Sequence, residues 1–138
     1  MNKIKVTKTE ALILDAVKAV KNKGIKIKAD GWYVVWNVDK RKWEPEQNSN
    51  GHCSCPLGAY LLAAQPKPSE DQEEYLADGS DTDLLCDIAG TALGKDREWA
   101  ENFVANFDDD YDYGDDTGNE PKGVGSRSGR KLRKLLIK

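Results

Sequence analysis

The residues best equipped for chemistry are His52, Cys53, Ser54 and Cys55, with Cys86 further along the chain. Three cysteines and one histidine, the whole complement of both types, would make a complete Cys3His donor set for zinc. Their spacing opposes that reading. Structural zinc sites usually draw paired ligands from C-x-x-C knuckles, and the adjacent His52 and Cys53 do not both aim readily at one ion. The same residues suggest a reactive thiol instead. Cys55 stands where a helix should begin, so the positive end of the helix dipole would lower its pKa, and Cys53 could resolve an oxidised Cys55. A cysteine hydrolase also needs a base placed by the fold, and His52 lies on the same short loop as Cys55. The H-x-E and P-C-x-x-C signature of zinc deaminases is missing. The expectation is therefore structural: Cys55 caps a helix, Cys53 is half-buried, and Cys86 flanks a buried helical stripe. No catalytic, cofactor-binding or metal-ligating residue is assigned, and an enzymatic function is not expected.

Two charged stretches offer other chemistry. Counted from Asp109, a calcium loop would have Gly114 sixth and Glu120 twelfth, as an EF-hand requires, but Tyr111 and Tyr113 take ligand positions. Counted from Asp108, Asp110 and Asp112 are restored and the glycine and glutamate are lost, so no register completes the loop. Further on, Arg127, Arg130, Lys131, Arg133 and Lys134 could meet the phosphates of a nucleic acid or a membrane surface. Tyr111 and Tyr113 are too few nearby aromatics for a base-stacking platform.

These candidates sit in a chain of 138 residues, 38% hydrophobic and 33% charged, which suits one small domain. A net charge of −3 conceals strong segregation. Residues 1–28 hold eight lysines against Glu10 and Asp15; residues 98–121 hold nine acids and no base; residues 122–138 hold seven bases and no acid. Runs of like charge repel themselves, so residues 108–121 read as an acidic linker and 122–138 as a basic tail, leaving 1–107 as the globular domain. No apolar run is long enough to span a bilayer, and none resembles a signal peptide. An odd number of cysteines without such a signal points to reduced thiols and a cytoplasmic protein.

Local signals place the elements. Thr7 and Glu10 form a capping box for a helix whose Ile13, Ala16, Val17 and Val20 make one stripe and which Gly24 should end. Alternation over Ile25–Ala29, then Asp30-Gly31, then Trp32–Val38 predicts a β-hairpin in which Ile27 faces Val34 and Ile25 faces Trp36. In that register Ile25, Ile27, Trp32, Val34 and Trp36 face the core, and Lys26, Lys28 and Tyr33 face water. A third strand at Trp43 would stop at Pro45. Pro56 suits the first position of a helix that Pro66 must end. Residues 66–79 read as an acidic loop with at most one helical turn. Ser80 and Asp83 open a helix whose Leu85, Ile88, Ala89, Ala92 and Leu93 share a face; Gly90 marks a close contact, and Gly94 is the stop. Asp96 caps the next, with Trp99, Ala100, Phe103 and Phe107 inward. Ser128 would cap a short tail helix bearing Leu132, Leu135 and Leu136, mobile on its own and docking on an anionic surface.

Two segments resemble a known group. Cys53-Ser54-Cys55-Pro56-Leu57-Gly58-Ala59-Tyr60-Leu61-Leu62 resembles the CCPLGALL element of small uncharacterised bacterial, cyanobacterial and phage proteins. Thr91-Ala92-Leu93-Gly94, Trp99 and Phe103-Val104-Ala105-Asn106-Phe107-Asp108 resemble their second element, with Asn106 where the group has glycine. The resemblance covers residues 51–108 and implies a small, mainly helical domain with no catalytic role. SWIM-type zinc fingers, which use Cys-x-Cys and then Cys-x-His, fit less well, because Cys86-Asp87-Ile88 lacks the histidine. The expected architecture is α+β and mainly helical: a β-hairpin or three-stranded meander packed with about four helices, plus a charged tail. The expected function is a non-enzymatic interaction domain, with a protein partner or, through the basic tail, nucleic acid or another anionic surface. The alternative is a zinc- or thiol-dependent protein using Cys53, Cys55 and Cys86.

Overall fold

Thr7 and Glu10 do cap a helix: the Thr7 amide donates to Glu10 Oε1 at 2.8 Å and the Glu10 amide to Thr7 Oγ1 at 3.1 Å. In this computed structural model, which describes residues 5–27, 32, 34–45, 52–53, 56–77, 82–108 and 125–136, that helix is α1, Lys8–Asn22. It buries Ile13, Ala16, Val17 and Val20 together with Glu10, and Gly24 leaves it at φ +88°. The left-handed value is one that glycine adopts without the steric penalty of a side chain.

The strands are β1 (Lys26–Ile27), β2 (Val34–Asn37), β3 (Lys42–Pro45) and β4 (His52–Cys53). The third strand expected at Trp43 is present and ends at Pro45, whereas the hairpin expected between Ile25–Ala29 and Trp32–Val38 is corrected. Strand β2 pairs antiparallel with β3, setting Val34 opposite Pro45 and Trp36 opposite Trp43. Strand β1 pairs parallel with β4, Lys26 beside His52 and Ile27 beside Cys53. Two local contacts account for the change. The Ile25 amide donates to Val20 O at 3.0 Å, pinning the start of β1 to the end of α1. The Trp36 and Trp43 rings meet edge to face at 5.3 Å, a cross-strand pair that favours β3 as the partner of β2. The burial pattern holds better than the pairing: Trp32, Val34 and Trp36 are buried, Lys26 is exposed, and Ile25 and Ile27 are half-buried. Asp30, Gly31, Lys28 and Tyr33 lie outside the described residues.

Helix α2 spans Pro56–Ala64 with Pro56 as its buried first residue. Gln65, at φ +53°, turns the chain before Pro66, and its side chain then serves β3. Gln65 Oε1 accepts from the Trp43 amide at 2.7 Å, and Nε2 donates to Trp43 O at 2.9 Å. The Trp43 indole donates to Pro66 O at 2.7 Å, so the strand is tied to the helix end through both backbone and ring. The segment expected to be a loop contains a helix instead, α3, Glu70–Ala77. Ser69 and Gln72 make a reciprocal cap, at 2.8 and 3.2 Å, and acids in the first turn suit the positive helix end.

Helices α4 (Thr82–Ala92) and α5 (Arg97–Asp108) form the expected hairpin. Leu85, Ile88, Ala89 and Leu93 are buried, whereas Ala92, expected on that face, is exposed. Gly94 has φ +78°, and Asp96 Oδ1 caps α5 by accepting from the Trp99 amide at 2.8 Å. Gly90 lies directly against the Asp96 carbonyl, where a Cβ has no room. Trp99 stacks on Phe103, and Phe103 on Phe107, along the buried side of α5.

The basic tail carries α6, Gly125–Leu136, so Ser128 lies inside the helix rather than at its cap. Nor does α6 stand apart from the residues before Asp108. Gly129 packs on the Phe103 carbonyl, the Arg133 guanidinium donates to Phe107 O, and Leu132, at 0% exposure, belongs to the same core as Ile13, Trp43 and Phe103. These contacts advance together along both helices, so α6 runs in the direction of α5. The whole is a mainly helical α+β fold.

Candidate functional site

The stripe of α1 that enters the core begins with an acid. Glu10, Ile13, Val17 and Val20 recur at helical spacing, and Glu10 is only 1% exposed. A buried carboxylate requires partners, and α6 supplies them. Ser128 and Lys131, three residues apart, share one face of that helix. Ser128 Oγ donates to Glu10 Oε2 at 2.6 Å and Lys131 Nζ to Glu10 Oε1 at 2.8 Å. Lys131 also donates to Lys5 O at 3.0 Å, so one ammonium binds both the entry to α1 and its carboxylate. Burial alone would raise the Glu10 pKa; hydrogen bonds from Lys131, Ser128 and the Thr7 amide, with the Lys131 charge, outweigh it and hold the carboxyl below its ordinary value. Glu10 is thus ionised at neutral pH, and its cluster joins the first and last described helices.

Around this cluster the surface is basic. Arg127 and Lys134 on α6 are exposed, Arg130 and Arg133 partly so, and Lys5 and Lys8 are exposed at the adjoining start of α1. Helix α6 carries five bases and no acid, whereas α3 carries four acids and no base. Beside α3 a groove of about 510 Å³ is lined by Val38, Arg41, Glu70, Glu73, Glu74 and Ala77, and the Arg41–Glu73 ion pair at 2.7 Å crosses it. Helix α6 is thus a basic helix and α3 an acidic one, while most of the acidic run at 98–121 lies outside the described residues.

The structure treats the cysteines differently. Cys86 is 1% exposed within the core face of α4. The backbone of His52 and Cys53 forms β4, while their side chains, and Ser54 and Cys55 entirely, lie outside the described residues. Whether Cys53, Cys55 and Cys86 converge thus falls beyond what is described, as does the calcium loop counted from Asp108 or Asp109. Among the described residues, no three His, Cys, Asp or Glu side chains are grouped to hold a metal ion. Among them also, no helix is long and apolar enough to cross a membrane. Asn106, which stands at the glycine of the second resembling element, is helical and buried, with Nδ2 donating to Asn102 O at 2.9 Å.

Sequence reasoning assigned Glu10 only to its cap. The missed signal was its phase: an acid in register with Ile13 and Val17 must be buried and must find a cation. Compared with protein-family models, curated proteins and solved structures, the chain matches none.

Proposed function

We propose that the protein is a non-enzymatic interaction domain whose basic face, formed by α6 and the start of α1, holds the phosphate backbone of a nucleic acid. The observation that carries this reading is the seating of α6. Its apolar side is already occupied by the core, with Leu132 fully buried and Leu135 and Leu136 packed against the cluster. An amphipathic helix that binds a bilayer surface must lay that side in lipid. What α6 keeps for a partner is charge, and charge alone suits a polyanion held by counterion release. With no aromatic residue in Gly125–Leu136 or in residues 5–8, binding through them should be largely independent of base sequence.

Fluorescence anisotropy with a labelled duplex, set beside sedimentation with phosphatidylserine vesicles, tests the reading. The expected result is duplex binding at low salt that weakens steadily as salt rises, and little attachment to vesicles. Vesicle binding without duplex binding, or no binding to either at low salt, contradicts it.

A further inference from the structure

The cluster that seats α6 has the donor set of an anion site, and the anion in it is part of the chain. A serine hydroxyl, a lysine ammonium and a backbone amide at a helix start are groups with which proteins commonly hold phosphate. Here all three converge on one buried carboxylate, from Ser128 at 2.6 Å, Lys131 at 2.8 Å and Thr7 at 2.8 Å. We infer that Glu10 is an internal clamp: it holds α6 closed and withholds Lys131 and Ser128 from external phosphate, which gains them only by displacing the carboxylate. The competition rests on the polyanion reading of α6 given above; the clamping of the helix does not.

Three features fit this arrangement. The Lys131 side chain is 24% exposed against 2% for Glu10, so solvent reaches the cation while the carboxylate stays inside. Exposed Arg127 and Lys134 lie on the same helix and provide a first landing for a polyanion. The capping box is separable from the clamp, because a glutamine at position 10 can still accept from the Thr7 amide while carrying no charge for Lys131.

Glu10→Gln in the full chain is therefore the test, read in two ways. Hydrogen exchange should show α6 amides exchanging faster than in the wild type while α4 amides are unchanged. Duplex binding should tighten, with the slope of log Kd against log salt steeper by ~0.9, the increment for one more phosphate contact. Adding Lys131→Gln should remove that extra slope, and Lys131→Gln alone should also speed α6 exchange. If Glu10→Gln leaves both α6 exchange and the salt slope as in the wild type, the clamp is overturned, even where duplex binding itself is intact. If neither protein binds duplex but α6 exchange still rises, the clamp stands and the nucleic-acid reading falls.

Discussion

Glu10 is one residue with two structural duties, and only the first is local. Its cap on Thr7 spans three positions and is readable from sequence; its pairing with Lys131 spans 121 and is not. Lys131 in turn looked like one more charge of a solvated basic run. The pairing makes stability depend on pH in a definable direction. A carboxylate whose folded pKa is lowered stabilises the fold fully above 4.5, the ordinary value for glutamate. That contribution shrinks as pH falls below it and is lost once pH passes the lower folded value. Urea midpoints measured on either side of this window should converge for the wild type and Glu10→Gln at the acid end and separate at neutral pH, with the wild type higher. Lys131→Met should cost more than Glu10→Gln. It leaves a buried carboxylate without its cation, a loss of about 3 kcal/mol, the low end for a broken buried pair because Ser128 and Thr7 still donate. A Lys131→Met variant that unfolds at the wild-type urea midpoint would argue that Lys131 is merely solvated.

Among the elements, those with a self-contained signal were legible and those defined by a distant partner were not. Helix α1 follows from its capping box, α2 from Pro56 and Pro66, and the α4–α5 hairpin from Gly94 and Asp96. Helix α3 had a signal of the same kind, Ser69 with Gln72, masked by the acidic composition around it. The strands divide. Trp32, Val34 and Trp36 show which face is buried, since alternation is local, and the strand at Trp43 that stops at Pro45 lies beside them as a meander requires; nothing local shows that Lys26–Ile27 pairs elsewhere. The β2–β3 pair is held by Trp43 and by Gln65 reaching back from the end of α2. Helix contacts can be tested by the sign of one substitution. A glycine inside a helix usually gains about 1 kcal/mol when replaced by alanine. At Gly129 the added Cβ would overlap the Phe103 carbonyl, which α5 holds in place. Gly129→Ala should therefore lower the thermal midpoint despite its better helix propensity, and a rise would mean that α6 does not pack against α5 as described.

For the molecule as a whole, charge distribution was the clearest sequence signal, and its physical consequence was the part read least well. Five bases in α6 suggest a solvated appendage, yet Leu132 is as buried as Phe103. Leu132, Leu135 and Leu136 mark an apolar face of this helix, but not what covers it before the fold is known. Removal of residues 125–136 should thus expose Phe103, Phe107 and Glu10 and markedly lower the unfolding midpoint in urea. An unchanged midpoint would return α6 to the status of a tail. The functional reading depends on what α6 presents once it is seated, so the decisive variant changes its charge and spares its packing. Arg127→Glu with Lys134→Glu alters two exposed positions. The measurement is the slope of log Kd against log salt for duplex binding, wild type against this double variant, with circular dichroism establishing that both are folded. A basic face that holds phosphates predicts weaker binding and a slope shallower by ~1.8, twice the ~0.9 expected per lost contact. An unchanged affinity and an unchanged slope would contradict it.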